Sequence, residues 1–483
     1  MSKTIPQIKI KEIQFHILNM HTRFPFQYGI ASLTAIPHLF VKVTIEIDGK
    51  IQADGLTSEG LPPKWFTKNP QTRFEEDLPH FFDVIQLAAN SAMQAPKGSY
   101  FDIWQHIQQC QDEQSFHPEI SPLLANLGVA LMERAIIDAM SRGLQTNLHQ
   151  LLSQNLTGIH FDTIRPELND IQLNQIIAAS PRHRVHVRHT IGLGDPLDKE
   201  DTQGGVVVQD GLPYTLEENI QCYGLNYFKI KVRGNTEVDL ARIRHIRNVV
   251  EHTGVQNPRF TLDGNESFQS LQQFKEFYTQ CLSDADIANF FDKGLIFIEQ
   301  PLHRSVALEE DLKAWSDRPP IVLDESDQSL QSLPKALDLG YQGCSHKNCK
   351  GIVKSLANAA LIQVRNRNSP QDTYYLSGED LANVGPIALN QDLAMVASLG
   401  IHHVERNGHH YFKGLSMFPK NSWDTIAEKA LYKKHEEGFP TLQIQNGNLD
   451  LTSVNQAPFG TTSLLNSEQF TPLKEWNVES LGS

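Results

Sequence analysis

Apolar and polar residues alternate through HLFVKVTIEIDG (residues 38–49), and the run ends in Asp48-Gly49, the residue pair that favours a tight hairpin turn. This predicts antiparallel β-structure near the start of the chain. From about residue 75 to 144 the rhythm changes. LPHFFDVIQLAANSAM and LLANLGVALMERAIIDAMSRGL repeat their apolar residues three and four apart, the period of helices with one buried face. Strands followed by helices predict an α+β unit over residues 1–180.

Beyond about residue 182 short apolar runs alternate with amphipathic stretches. NYFKIKV precedes VDLARIRHIRNVVEHTG, RFTLDG precedes LQQFKEFYTQCL, and LIFIEQP is expected to lead into another helix. IVLDES with LPKALDLG, GCSHKN with VKSLANAALIQVRN, and YYLSGED with QDLAMVASLG continue the series. So many β-then-α units over residues 181–420 predict a parallel (β/α) barrel of the TIM type. An open dinucleotide-binding sheet is disfavoured, because Gly192-Leu-Gly194 lacks the third glycine of its phosphate loop. Residues 195–220 read as a long loop after the first barrel strand. In the tail, residues 421–483, Asn446-Gly447 predicts a hairpin between two short strands, and the segment is expected to return to the N-terminal unit.

Composition narrows the class of partner. Among 483 residues, 42 Lys and Arg against 56 Asp and Glu give a net charge of −14, the wrong sign for phosphate backbones or anionic lipid. No nucleic-acid or membrane partner is expected, and the absence of a long apolar stretch at the start leads to the expectation of a cytoplasmic protein. Five cysteines without a CxxC pair argue for reduced thiols rather than a disulfide framework or zinc knuckle.

Chemistry in such a barrel gathers at the C-terminal ends of its strands. Lys229 and Lys231 stand two apart in FKIKV and so share a face, which is either the barrel interior or, on an edge strand, solvent. Asp263, Glu299 and Asp324 then close three successive apolar runs. Any one acid there could be a helix cap; three converging acids would repel one another unless a cation neutralised them. An all-oxygen donor set suits Mg²⁺, with Mn²⁺ as the alternative. Glu325 competes with Asp324 for the ligand role, since alternation points only one of the two inward. Lys347 ends the next strand, across the barrel from the lysine pair, with Lys350 and Lys354 nearby as competitors.

The ordered set KxK, Asp, Glu, Asp and Lys, one motif per strand, resembles the enolase superfamily, in its mandelate racemase and muconate lactonizing enzyme group and the muconate lactonizing enzyme-like branch. The resemblance covers most of the chain. It implies a modified TIM barrel with an N-terminal α+β capping domain completed by the C-terminal segment. It also implies Asp263, Glu299 and Asp324 as Mg²⁺ ligands and Lys231 and Lys347 as acid/base groups on opposite faces of the substrate. Lys229 would neutralise the substrate carboxylate or the developing enolate, and Asn265 would support Asp263. The implied shared step is removal of the proton α to a carboxylate, giving an enediolate stabilised by the metal. A lysine flanked by another cation and a metal would have its pKa pushed down, so that its neutral amine could act as the base. His346 stands before Lys347 where many relatives carry an apolar residue, and only Gly351 follows, so the resemblance names a reaction class and not a substrate.

With a lysine on each side, racemase or epimerase is the leading expectation, ahead of sugar-acid dehydratase and cycloisomerase. A non-catalytic metal- and carboxylate-binding barrel is the reading from another class, and the intact lysines argue against it. Glu379 and Asp380 end the YYLSGED run and are candidates for substrate contact, as is Arg23 in the cap, where a second carboxylate could bind. Trp65 in GLPPKWF is either cap core or lid. The histidines of segment 402–410, grouped with Glu405, raise a zinc site, but adjacent strand residues point apart and cannot chelate together. His183, His186 and His189 lack the His-x-His alternation of an amidohydrolase-type metal pair. The expected partner is a small-molecule carboxylate, and a homo-oligomer is expected from the family.

Overall fold

The computed structural model describes residues 4–203 and 208–482. Part of the 195–220 loop, residues 204–207, therefore lies outside the described residues.

The chain opens with three antiparallel strands, β1 (Ile8–Tyr28), β2 (Ala31–Ile47) and β3 (Ile51–Gly60). The β2–β3 hairpin turns where the sequence indicates: Asp48 and Gly49 take φ of +53° and +70°, and Ile47 pairs with Ile51 across the turn. Helices α1 (Phe74–Gln94), α2 (Tyr100–Glu113) and α3 (Pro122–Gly143) follow. Ser99 caps α2 and Ser121 caps α3, each accepting from a backbone N–H inside its first turn. Gly55 permits β3 to lie directly on α3, since a Cβ there would meet the Ala135 carbonyl oxygen at 2.2 Å.

Eight parallel strands then form the barrel: β4 (Arg184–Ile191), β5 (Tyr227–Lys231), β6 (Arg259–Asp263), β7 (Leu295–Glu299), β8 (Ile321–Val322), β9 (Gly343–His346), β10 (Tyr375–Gly378) and β11 (His403–Arg406). Their order is β8-β7-β6-β5-β4-β11-β10-β9, and a parallel bridge between Leu323 and Cys344 joins its two ends. The Leu323 N–H donates to the Gly343 carbonyl at 3.0 Å and the Ser345 N–H to that of Leu323 at 2.8 Å, closing the ring. In a ring of eight, β5 and β9 are diametrically opposed. The lower interior is filled by Phe297, whose ring packs against Tyr375 at 5.6 Å and lies 5.5 Å from the Arg188 guanidinium.

Two elements differ from the sequence expectation. After β7 there is no α-helix before β8 among the described residues; only a 3₁₀ turn, Leu312–Ala314, lies there, and the nearest helix, Ala285–Gly294, precedes β7 instead. Turns over residues 304–309 stand where the helix was expected. The Asn446-Gly447 turn forms, with φ of +48° and +69°, but its outgoing strand β14 (Asn448–Asp450) pairs antiparallel with β4 of the barrel. The strand before it, β13 (Pro440–Leu442), pairs instead with β12 (Tyr432–Lys434). Gln445 and Asn448 exchange backbone hydrogen bonds of 2.9 Å across the turn, so the hairpin closes there and the further pairing of its outgoing strand goes to the barrel. Finally β15 (Thr471–Pro472) adds to β1, so the tail joins both the barrel and the N-terminal sheet. No helix among the described residues is long and apolar enough to cross a membrane.

Candidate active site

Alternation along β5 turns Phe228 and Ile230 away from the barrel axis and sends Lys229 and Lys231 inward. The edge-strand alternative fails, because β5 is paired on both sides, with β4 and β6. Lys229 is fully buried, and its Nζ lies 2.9 Å from Asp263 Oδ2, 2.8 Å from Glu299 Oε2, 2.8 Å from Glu379 Oε2 and 2.9 Å from Glu405 Oε2. Burial alone would push this ammonium down, but the surrounding carboxylates outweigh it and hold the group well above the usual lysine range. Lys229 is thus a fixed cation.

Lys231, one layer higher, ion-pairs with Asp263 Oδ2. On the opposite wall Lys347 follows β9, and its Nζ lies 2.6 Å from Asp324 Oδ2. Burial would lower the Lys347 ammonium; the Asp324 charge reverses that and raises it. The nearest charged neighbour of Lys347 is this carboxylate. Lys231 and Lys347 nonetheless line one small cavity between barrel and cap, together with Asn265, Asp380, Glu405 and Asn407. Its other wall is apolar, built from Phe26, Tyr28, Leu33, Pro62 and Trp65 of the cap and Leu381 and Ala382 beyond β10. The Lys347 ammonium lies 4.5 Å from the centre of the Trp65 ring, which makes Trp65 both a wall and a cation–π partner.

Asp263, Glu299 and Asp324 close β6, β7 and the turn after β8, and all three are fully buried. Burial, reinforced by the charges of Asp263 and Glu379, pushes Glu299 well above the carboxylate range. Asp324 moves the other way: burial is overcome by Lys347 and Lys350, which hold it ionised. The donor chemistry fits a hard divalent cation, since three carboxylates from adjacent strand ends offer oxygen only. Their oxygens are not drawn together here: Lys229 bridges Asp263 and Glu299, and Lys347 and Lys350 hold Asp324. Among the described residues the trio whose ligand atoms all lie within 4.8 Å of one another is Asp198, Asp201 and His245, partly exposed beside the 195–220 loop. No short-range pattern in the sequence marks that trio, since His245 belongs to the helix Thr236–His252 and both acids to the 195–220 loop.

Glu325 is buried too, yet it turns toward Asn265, accepting from its Nδ2 at 3.0 Å, and burial with the Asp324 charge pushes it up to about 7. Asn265 also donates its backbone N–H to Asp263 Oδ1 at 2.8 Å, so it touches the acid it was expected to support. Glu379 pairs with Arg188 and Lys229, and Asp380 accepts the Asn383 and Asn407 backbone N–H groups at 2.9 and 3.2 Å. Arg23 is not brought to the cavity: its guanidinium grips Asp210 at 2.6 Å and accepts no free role, since Pro213, Leu212 and His410 carbonyls take its remaining donors. It fastens the 195–220 loop to β1.

Glu405 and Arg188 are the site residues that sequence reasoning missed. In the sequence Glu405 stands among histidines, whereas those rings scatter: His403 meets Arg188 at 2.6 Å, His409 meets His189 at 3.1 Å, and His410 faces Asp195 at 3.7 Å. The signal for Glu405 was its place at the end of the last barrel strand.

Similar structures cover nearly all of the chain. A mandelate racemase/muconate lactonizing protein from Herpetosiphon aurantiacus matches with a TM-score of 0.60 at 15% identity, covering 94% of this chain and 98% of that one. A dipeptide epimerase from Enterococcus faecalis V583, solved with Mg and the dipeptide L-Leu-L-Tyr, matches with a TM-score of 0.57 at 16% identity over 94% and 99%. The chain shares its fold with these proteins and with an unknown member of the enolase superfamily from Enterococcus faecalis V583. Among curated proteins, o-succinylbenzoate synthase of Geobacillus stearothermophilus is 26% identical over 219 residues, which span 42% of this chain and 52% of that enzyme. No family model matches the chain.

Proposed function

We propose that this protein is a divalent-metal-dependent enzyme of the enolase superfamily that removes the proton α to a substrate carboxylate, with racemisation or epimerisation as the outcome. The observation that carries the reading is the convergence of Lys231 and Lys347 on one cavity from diametrically opposed strands. A proton taken from one face of a planar intermediate can then be returned on the other. Asp263, Glu299 and Asp324 would hold a divalent metal, Mg²⁺ in the first instance, which would supply the positive charge that makes an α-proton acidic enough to remove. Lys231 takes the proton and Lys347 delivers one across the cavity. Lys229, fixed among its carboxylates, adds a permanent positive charge beneath the reacting group.

Elimination or cycloisomerisation is the second reading, favoured by the Asp324 charge that keeps Lys347 an ammonium and so a ready acid. The apolar cap wall supports a carboxylate carrying an apolar substituent. Similar folds bind small ligands of this kind, a dipeptide in the Enterococcus faecalis epimerase.

Two expected results follow from this reading. Mg²⁺ at about 100 times its dissociation constant stabilises the wild-type by roughly 2.7 kcal/mol, a rise of several degrees in melting midpoint, and Asp263→Asn removes that rise. Equal midpoints with and without metal in the wild-type would sink the metal claim. Trp65→Ala strips Lys347 of its ring partner and opens the cavity wall, and kcat/KM is expected to fall about tenfold, a loss near 1.4 kcal/mol. Unchanged kcat/KM would return Trp65 to a packing role.

A further inference from the structure

Asp324 is held unequally at its two oxygens. Oδ2 meets Lys347 alone among the described residues, at 2.6 Å, whereas Oδ1 accepts from Ser345 Oγ at 2.5 Å and lies 3.3 Å from Lys350 Nζ. Lys350 also donates to Ser345 Oγ at 2.7 Å and to the Asp324 main-chain carbonyl at 3.2 Å. It thus binds the side chain, the backbone and the hydroxyl partner of one acid at once. Lys350 is buried and does not line the cavity that Lys231 and Lys347 share.

Behind it the charges continue outward. Lys350 is 3.4 Å from Asp327 Oδ2, and Lys354 is 3.2 Å from the same oxygen. Lys354 makes no contact with Asp324; it binds Asp327 through both its carboxylate and its carbonyl. Two buried lysines of the same segment therefore sit at successive distances from the site, one touching the acid and one not.

A buried carboxylate with a single cationic partner would be left uncompensated whenever that partner moved, at a cost of several kcal/mol. Asp324 has two. We propose that Lys350 is a positioning residue that fixes Asp324 through Oδ1, so that Oδ2 stays presented toward the metal position while Lys347 is free to leave it for proton transfer. This rests on the function proposed above, in which Asp324 is a metal ligand. Groups of this kind, one bond removed from a ligand, change metal affinity by about 10- to 100-fold when lost.

The experiment is a Mg²⁺ titration of the substrate-free protein, read by calorimetry and by melting midpoint, on four chains: wild-type, Lys350→Met, Ser345→Ala and Lys354→Met. Lys350→Met is expected to weaken Mg²⁺ binding at least tenfold and Ser345→Ala to weaken it in the same direction. Lys354→Met, which disturbs the same buried layer without touching Asp324, should bind within about twofold of wild-type. If Lys350→Met does not fold, Ser345→Ala alone decides, since it loosens the same oxygen. Wild-type affinity in both Lys350→Met and Ser345→Ala would overturn the inference, as would an equal loss in Lys354→Met. A wild-type protein that binds no Mg²⁺ would instead overturn the metal reading itself, and this inference with it.

Discussion

Lys231→Ala stops exchange of the substrate α-proton and lowers kcat by roughly 10³-fold or more, while the protein still folds and still gains stability from Mg²⁺. Lys231 lies at the cavity with a single ion-pair partner, Asp263, whereas Lys229 is bound by four carboxylates and cannot give up its proton cheaply. The two lysines of one strand therefore have separate duties, and their substitutions separate them. Loss of turnover without loss of fold or of metal stabilisation is the signature of an acid/base group. Retained turnover in Lys231→Ala, measured on the same substrate, would move the base role to Lys347.

The second large effect belongs to Lys229. Lys229→Met removes the ammonium on which Asp263, Glu299, Glu379 and Glu405 converge and leaves four buried carboxylates facing one another. Breaking a buried ion pair from one side costs about 3–5 kcal/mol, and here one cation serves several partners, so metal-free Lys229→Met is expected to lose at least that much stability in denaturant unfolding. Double replacement with Glu405→Gln recovers part of the loss, because it deletes one of the charges left unpaired. A Lys229→Met protein as stable as wild-type would mean that the carboxylates are already neutral without it. That result would contradict the fixed-cation role.

Most of what determines the site is written in short-range patterns. Alternation alone turns Lys229 and Lys231 to one face, and strand ends mark Asp263, Glu299 and Lys347. The hairpin at Asp48-Gly49 and the three cap helices follow equally local rules of turn chemistry and apolar spacing. What was not legible depends on contacts between distant residues. Glu405 reaches Lys229 across 176 positions, and Arg188 reaches Glu379 across 191, so neither pairing leaves a trace in its own neighbourhood. Arg23 looks like a free cation in the sequence and is committed to Asp210, 187 residues away. Strand β14 adds β4 as a partner for the same reason, since a barrel strand with an unpaired segment exists only once the barrel has formed. Glu325 shows the limit of alternation: beyond the two-residue strand β8 the backbone is no longer extended, and adjacent acids both become buried, on different neighbours.

The central claim is abstraction of an α-proton beside a carboxylate, and deuterium exchange followed by NMR tests it most directly. The wild-type protein is incubated in D₂O with Mg²⁺ and pools of amino-acid derivatives, dipeptides and sugar acids. The account predicts exchange at the α-carbon of one carboxylate class, dependent on Mg²⁺ and absent in Lys231→Ala. Exchange that persists after the metal is chelated, or that survives in Lys231→Ala together with Lys347→Ala, would contradict it, as would Mg²⁺ binding with no exchange in any pool.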